Sequence, residues 1–189
     1  MNREHREFLA SEEWRELLRD LVFPFAFRDR SPADLGDDVV EIGPGPGLTT
    51  DLLRADLPRL TSVELDHDLA SSLAARLAGT NVEVHQADAT AMPFDDGRFS
   101  GAVCFTMLHH VPADRHDALF SEVLRVLRPG GLFVANDSVA SDELAAFHVD
   151  DIYAPIAHGA LGDRLAAMGY VDVEVWNNAF GWAAHARRP

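Results

Sequence analysis

Short apolar runs alternate along this chain with longer segments in which apolar residues recur every three or four positions. Such runs predict buried strands, and the longer spacing predicts helices that pack on them. Residues 3–21 carry the first helical pattern, ahead of an aromatic connector at 23–30 and a loop at 31–37. The strands are expected at 38–42, 60–65, 82–87, 99–106 and 132–137, and the helices at 48–55, 68–77, 113–127 and 161–168.

The chain closes with two further strand patterns, "VDVEVW" and "FGWAAHAR", separated by only three residues. A connection this short cannot hold a crossover helix, so the two strands must form an antiparallel hairpin. Strands that alternate with helices form mostly parallel sheets covered on both faces. The predicted fold class is therefore α/β: a Rossmann-like, doubly wound, seven-stranded sheet, mostly parallel with the last strand antiparallel.

Composition narrows the class of protein. A length of 189 residues suits one domain, and 47% apolar residues suffice for a core. There is no apolar run long enough to span a membrane, and the charged N-terminus does not resemble a signal peptide. The single cysteine, Cys104, excludes an internal disulfide and a multi-cysteine metal site. We expect a cytoplasmic protein.

The charge of the chain limits the kinds of molecule that it is expected to bind. The formal net charge is −15, and all 16 basic residues are Arg, since the sequence contains no Lys. Strong negative charge disfavours binding to nucleic acid or to an anionic membrane. The absence of Lys excludes Schiff-base chemistry and a Walker-type phosphate loop. We therefore expect neither a nucleic acid nor a membrane partner.

A glycine-rich turn, "VVEIGPGPGLTT", follows the first predicted strand. Such turns usually cradle phosphates with backbone N–H groups, but Pro44 and Pro46 have none. The dinucleotide fingerprint also requires a small residue where this chain has Leu48. An adenosine with an uncharged or zwitterionic tail fits this turn better than a polyphosphate does, although a plain strand-to-helix turn is the alternative.

Acidic residues end the next two predicted strands. Glu64 lies 21 residues after Gly43, where a carboxylate can accept the hydroxyl groups of a ribose. Asp88 follows the third strand and could accept an exocyclic amine. Acids at strand ends are often merely solvated, but two of them beside a glycine turn favour a nucleoside site.

These motifs together resemble the class I S-adenosylmethionine-dependent methyltransferases. The similarity spans residues 36–136 through "VVEIGPGPG", "VELD", "QADATAMPF", "FTMLHHV" and "LRVLRPGG", and "LGDRLAAMGYVDVEV" continues it. The resemblance implies S-adenosylmethionine as cofactor, S-adenosylhomocysteine as product, and a seven-stranded sheet. It implies cofactor contacts for Glu41, Gly43, Gly45, Gly47, Glu64, Leu65, Asp66, Asp88, Ala89, Phe105, Thr106 and Met107.

Two histidines after the fourth strand, His109 and His110, are the candidates for a catalytic base. A sulfonium methyl group is electrophilic enough that positioning can suffice, so a structural or cofactor-lining role is the alternative. Residues 137–160 interrupt the regular pattern as a short cap insertion and are the expected acceptor site, or else a solvated cap. The candidate acceptor residues there are His148, Asp151 and Tyr153, together with His158.

No metal is expected, because His148 with Asp150 or Asp151 lacks an evident third ligand. Residues 1–35 are predicted to be an N-terminal helical lid and 36–189 the S-adenosylmethionine-binding domain. The lid aromatics, including Trp14 and Phe27, could equally be core packing.

Both additions to the sheet are short, so we expect a small-molecule methyl acceptor and a monomer or homodimer. A non-catalytic module that binds S-adenosylmethionine or S-adenosylhomocysteine is the alternative function. An NAD-dependent oxidoreductase is disfavoured by Leu48 in the fingerprint.

Overall fold

The computed structural model describes residues 3–189, and in them seven strands form one mixed sheet in the order β3-β2-β1-β4-β5-β7-β6. β4 lies at the centre, β1 pairs in parallel with β2 and β4, and β7 is antiparallel to both β5 and β6. The predicted fold class is confirmed. The strands are β1 Val39–Ile42, β2 Leu60–Glu64, β3 Val82–Gln86, β4 Phe99–Phe105, β5 Leu127–Ser138, β6 Val171–Asn177 and β7 Gly181–Arg187.

Helices cover both faces of the sheet. Neighbouring residues of one strand point to opposite faces, so Val40 joins one hydrophobic core and Val39 the other. Two buried cores therefore hold the sheet between the helix layers. The α-helices are α1 Arg3–Leu9, α2 Glu12–Leu17, α3 Phe23–Phe27, α4 Leu48–Leu53, α5 His67–Arg76, α6 His116–Val126, α7 Asp142–Phe147 and α8 Leu161–Ala167.

The N-terminal segment differs from the single helix and connector that the sequence predicts. The helix is interrupted at Ser11, whose side chain accepts a hydrogen bond from the Trp14 N–H and so caps α2 as a new helix. A π-helical turn, Leu18–Val22, then leads into α3, so residues 23–27 of the predicted aromatic connector are helical. Pro24 lies in the first turn of α3, where a proline is compatible with a helix.

The Arg-Pro-Gly-Gly segment also departs from the prediction. It lies within β5 and does not form a separate turn before it. Pairing with β4 jumps from Leu127 to Leu132, so the segment bulges out of the strand. Arg188, after β7, holds the bulge: it accepts a hydrogen bond from the Gly130 N–H and donates one to the Gly131 carbonyl.

Residues 137–160 form an irregular segment over one edge of the sheet. Residues 137 and 138 end β5, and the regular structure of the rest is α7 and a 3₁₀ turn, His158–Ala160, that leads into α8. Within residues 3–189, the helices are too short or too polar for any of them to cross a bilayer.

Candidate active site

A cavity of about 430 Å³ lies at the carboxyl ends of β1, β2 and β4. Ligands of open α/β sheets bind at this edge, and the volume is typical of small-molecule sites. No Arg is found among the lining residues that the structure describes. They are Leu9, Trp14, Leu18, Gly43, Pro44, Gly45, Pro46, Leu48, Thr49, Glu64, Leu65, Asp66, Leu69, Phe105, Thr106, Met107, His110, Val111, Asp151 and Ile152.

The N–H groups of the glycine turn after β1 donate hydrogen bonds to other groups of the protein. The N–H of Gly43 donates to the Val63 carbonyl at 2.9 Å, and that of Gly47 donates to the Pro44 carbonyl at 3.0 Å. The Gly45 N–H donates to Glu64 Oε2 at 3.0 Å. The two prolines have no N–H group. Residues 43–47 therefore present no set of backbone N–H donors that could bind a phosphate in the cavity. This bears out the sequence argument against a polyphosphate.

The glycines of this turn serve different purposes. All have positive φ, a conformation that glycine adopts most readily. A Cβ on Gly47 would collide with Leu73 and Arg76 of α5, so Gly47 allows the turn and α5 to pack closely. A Cβ on Gly45 would meet no protein atom within 4 Å. Gly45 therefore keeps open space that a ligand can use.

Glu64 joins the glycine turn to the loop after β2. Its Oε2 accepts the Gly45 N–H, and its Oε1 accepts the Asp66 N–H at 2.9 Å. The side chain is largely buried, with 8% of its surface exposed, yet it lines the cavity. The predicted ribose acceptor thus has its carboxylate fixed at the cavity wall by two backbone donors.

Asp66 lies beside Glu64 at the start of α5. Its Oδ1 caps the helix by accepting the N–H groups of Asp68 and Leu69, and its Oδ2 accepts a hydrogen bond from Arg6 at 2.6 Å. The Leu69 N–H is the main reason that the pKa of Asp66 lies below its usual range. Arg6 lowers this pKa further, against the opposing effect of burial. Asp66 is therefore ionised at neutral pH.

Glu41 lies beneath the glycine turn and is absent from the cavity wall. Its carboxylate accepts hydrogen bonds from Thr49 Oγ1, Thr50 Oγ1 and Ser62 Oγ at 2.5, 2.7 and 2.7 Å. Burial raises the pKa of Glu41, although the three hydroxyl groups oppose the shift. The arrangement ties β1 to β2 and to the first turn of α4. Glu41 is placed to position the turn.

Asp88 and Ala89, the predicted contacts to the adenine amine, lie outside the cavity wall. Asp88 Oδ1 accepts hydrogen bonds from the N–H and hydroxyl of Thr90, and Oδ2 accepts one from Arg115 at 2.9 Å. Ala89 packs against the core. By contrast, four other predicted cofactor contacts line the cavity: Leu65, Phe105 at the end of β4, and Thr106 and Met107 after it.

The two predicted catalytic histidines have different surroundings. His110 lines the cavity. His109 is buried behind it, and its Nδ1 lies 2.6 Å from Asp137 Oδ1. The Asp137 carboxylate also accepts the backbone N–H of His109 at 2.9 Å. Only His110 of the pair is therefore placed beside a ligand in the cavity.

Of the four predicted acceptor residues, only Asp151 lines the cavity. His148 is buried and packs against His109 and His110, with ring centroids 4.9 and 5.1 Å apart. Tyr153 stacks on His148 at 4.7 Å. His148 and Tyr153 therefore pack behind His110 and are not part of the cavity wall, and His158 lines a separate cleft.

Comparison with known proteins decides the family. Residues 39–131 match the family model described as "Methyltransferase domain". The chain contains a methyltransferase domain over these residues, which are about half of its length. This confirms the predicted family, an enzyme class that uses S-adenosylmethionine.

Curated relatives of the methyltransferase domain match parts of the chain. The ribosomal RNA small subunit methyltransferase A of Laribacter hongkongensis is 52% identical over 60 residues, which are 31% of this chain and 22% of that protein. A protein of Mycolicibacterium smegmatis named "Probable S-adenosylmethionine-dependent methyltransferase" is 33% identical over 101 residues, 53% of this chain and 38% of that protein. The chain thus spans less than half the length of these relatives.

Solved structures agree on the fold. Phosphoethanolamine N-methyltransferase 2 of Haemonchus contortus, solved with phosphomonomethylethanolamine and S-adenosylhomocysteine, superposes with a TM-score of 0.76 at 15% identity. The match covers 97% of this chain and 57% of that one. At this identity the likeness concerns the fold of the methyltransferase domain.

Two lining residues that sequence reasoning did not single out, Leu9 and Leu18, come from the N-terminal helices. Trp14 of the same segment lines the cavity, whereas Phe27 is buried in the sheet core. Some residues of the segment therefore line the cavity, and others pack in the core. Helical periodicity could not separate these roles, because apolar residues are expected on either a core-facing or a ligand-facing side.

Proposed function

We propose that this chain transfers a methyl group from S-adenosylmethionine to a small-molecule acceptor and releases S-adenosylhomocysteine. The observation that carries the proposal is the placement of the Glu64 carboxylate between the Gly45 and Asp66 N–H groups at the cavity wall. A carboxylate held there can accept the two hydroxyl groups of a ribose. The adjoining turn offers close backbone approach without phosphate donors.

The cavity composition fits the proposed cofactor. S-adenosylmethionine carries a sulfonium and a zwitterionic amino acid tail, and no phosphate. The described lining includes the acids Glu64, Asp66 and Asp151 and lacks Arg, a balance that suits a cationic ligand better than an anionic one. The open space beside Gly45 is available to the cofactor, and Phe105 and Met107 offer apolar contact elsewhere in the cavity wall.

The residues on the acceptor side have a positioning role in this proposal. S-adenosylmethionine supplies an electrophilic methyl group, so transfer requires mainly an acceptor lone pair held in line with the S–CH3 bond. His110, Asp151 and Ile152 line the cavity together and are the residues proposed to hold the acceptor. Leu9, Trp14 and Leu18 are proposed to close the cavity over the ligands and exclude water.

A small acceptor is favoured over RNA. The match to ribosomal RNA methyltransferases concerns 31% of this chain. RNA binding relies on cationic surface that neutralises phosphates. A chain of net charge −15, with no Lys, is poorly suited to it. An experiment that identifies the acceptor must therefore also be able to detect methylation of RNA.

Titration calorimetry with S-adenosylmethionine and S-adenosylhomocysteine tests the cofactor site. We expect both to bind the wild-type chain with micromolar affinity and neither to bind Glu64→Ala. Glu83→Ala, an exposed acid on β3, is the matched control and should bind like the wild type. If neither compound binds the folded wild-type chain, the proposal fails.

Methyl transfer from labelled S-adenosylmethionine tests the reaction itself. The chain is incubated with a metabolite extract and, separately, with total RNA, and label is then followed into each pool. Label in the small-molecule pool supports the proposal, and label confined to RNA replaces the acceptor class. Cofactor binding without any transfer would instead indicate the non-catalytic binding module.

A further inference from the structure

The imidazole rings of His109, His110 and His148 come together at the acceptor end of the cavity. We use this term for the part of the wall where His110, Asp151 and Ile152 lie. His109 and His110 belong to the 3₁₀ turn after β4. His148 caps the C-terminus of α7 and lies 38 residues after His110 in the sequence. One ring nitrogen from each residue can be chosen such that all three lie within 4.8 Å of one another. Three imidazole nitrogens this close can converge on a single metal ion.

The hydrogen bonds of two rings indicate which nitrogen of each can bind a metal ion. His109 Nδ1 lies 2.6 Å from Asp137 Oδ1, and His148 Nδ1 lies 2.6 Å from the Leu144 carbonyl oxygen. A carboxylate or carbonyl oxygen accepts a hydrogen bond, so Nδ1 of each ring is assigned as the donor, and Nε2 of the neutral ring then carries the lone pair. Histidines that bind metal ions are oriented in this way, with the non-coordinating N–H donated to a carboxylate or carbonyl.

The third ring has a carboxylate beside it as well. Asp151 Oδ2 lies 3.7 Å from His110 Nδ1. The side chains of Asp137 and Asp151 are 1% and 7% exposed, so two carboxyl groups are buried next to the cluster. Carboxyl groups beside three imidazoles are surroundings that favour a bound cation.

We propose that His109, His110 and His148 bind one divalent transition-metal ion, with Zn²⁺ as the best candidate. Imidazole nitrogens suit Zn²⁺, Co²⁺ and Ni²⁺, whereas Mg²⁺ and Ca²⁺ prefer oxygen ligands. Asp137 and the Leu144 carbonyl are positioning groups that orient two of the rings. The sequence expectation of no metal rested on the lack of a third ligand near His148, and the fold supplies two.

The location of the cluster indicates what its remaining coordination position would take. Three protein ligands leave a fourth position of a tetrahedral ion open. His110 belongs both to the cluster and to the cavity wall, so that position lies next to the acceptor end. An oxygen or nitrogen lone pair of the acceptor is the ligand class that fits. This role rests on the proposed function, whereas the metal site itself does not.

The experiment uses the full chain, stripped with a chelator and then titrated. Zn²⁺ binding is followed by calorimetry, and Co²⁺ binding by visible d–d absorption, which reports the coordination geometry. We expect one ion of either metal per chain, a tetrahedral Co²⁺ spectrum, and no displacement by excess Mg²⁺. Failure of the folded wild-type chain to bind either ion would overturn the site.

Variants localise the ion. His148→Gln and His110→Gln each remove one ligand and are expected to weaken binding at least tenfold, whereas His67→Gln, an exposed histidine on α5, is expected to leave affinity unchanged. Asp137→Asn should weaken binding about 10- to 100-fold, as changes to orienting partners do. Circular dichroism verifies that each variant is folded. Equal affinity in folded His148→Gln, His110→Gln and wild type would overturn the assignment.

Parallel calorimetry with S-adenosylmethionine separates the two proposals. Cofactor binding by a chain that binds no Zn²⁺ overturns the metal site and leaves the methyltransferase proposal intact. Zn²⁺ binding that His148→Gln abolishes, in a chain that binds no cofactor, supports the site and overturns the proposed function together with the acceptor role of the metal.

Discussion

Arg6 of α1 donates a hydrogen bond to Asp66 at the start of α5, with 2.6 Å between Nη2 and Oδ2. The pair connects two segments 60 residues apart, one from the N-terminal helices and one from the cavity wall. Leu9, Trp14 and Leu18, which follow Arg6 along the chain, line the same cavity. Arg6 is therefore placed to hold the proposed lid against the cofactor site.

Arg6→Ala is expected to release the lid with little effect on folding. A partly exposed ion pair stabilises a fold by at most about 1 kcal/mol. We expect S-adenosylhomocysteine to dissociate roughly two- to fivefold faster, as measured by stopped flow, because interface changes act mainly on dissociation. Arg15→Ala, which breaks the Arg15–Glu12 pair on α2, is the matched control. Unchanged dissociation from Arg6→Ala would refute the lid contact.

The two glycines Gly45 and Gly47 should respond differently to the same substitution. Gly47→Ala places a methyl group against Leu73 and Arg76 at a φ of 90°, so urea unfolding should show a loss of more than about 2 kcal/mol. Gly45→Ala meets no protein atom and should lose about 1 kcal/mol while weakening cofactor binding. Similar stability losses in the two variants would contradict the separate roles.

Glu41→Gln tests whether the motif acid positions the turn. Three hydroxyl groups donate to its carboxylate, and an amide would present N–H donors to at least one of them. We expect a loss of about 1–3 kcal/mol in urea unfolding, the typical cost of a buried polar group left without a partner. The exposed-acid variant Glu83→Gln is the control. A Glu41→Gln chain as stable as the wild type, yet defective in cofactor binding, would point instead to direct ligand contact.

His185 is expected to make stability depend on pH. Its Nε2–H donates to the Ala26 carbonyl at 2.8 Å, and its Nδ1 accepts a hydrogen bond from Arg30 at 3.2 Å, so the folded state holds the neutral ring. Burial is the main reason that the pKa of His185 lies below 6.5, and the Arg30 charge lowers it further, against the hydrogen bond to Ala26.

The sign follows from proton binding. The unfolded state takes up the proton first, so the contribution of His185 is complete above pH 6.5 and is lost as the pH falls through the lower folded-state pKa. Between those values the free energy of unfolding of the wild type should fall more steeply with acid than that of His185→Gln. His67→Gln should keep the wild-type slope. Parallel profiles for the wild type and His185→Gln would rule the effect out.

Local sequence determined the strands, most of the helices, and the chemistry of the glycine turn. The spacing of apolar residues depends on residues that are close in sequence, so it can be read without the fold. Pro44 and Pro46 lack an N–H group because of their covalent structure, which no tertiary contact alters. The N-terminal segment was predicted less well. A Ser that caps a helix and a Pro that begins one act within a single turn, below the span over which periodicity is read.

Tertiary structure decided which of the candidate residues share a wall. Glu41 and Asp88 satisfy the motif pattern, yet one lies beneath the turn and the other binds Thr90 and Arg115. The distant pairs Arg6–Asp66 and His109–His148 also depend on the order of the strands and on how the helices pack over their ends. Sequence spacing carries local geometry, whereas contacts across 39 or 60 residues exist only once the sheet has placed both partners at one edge.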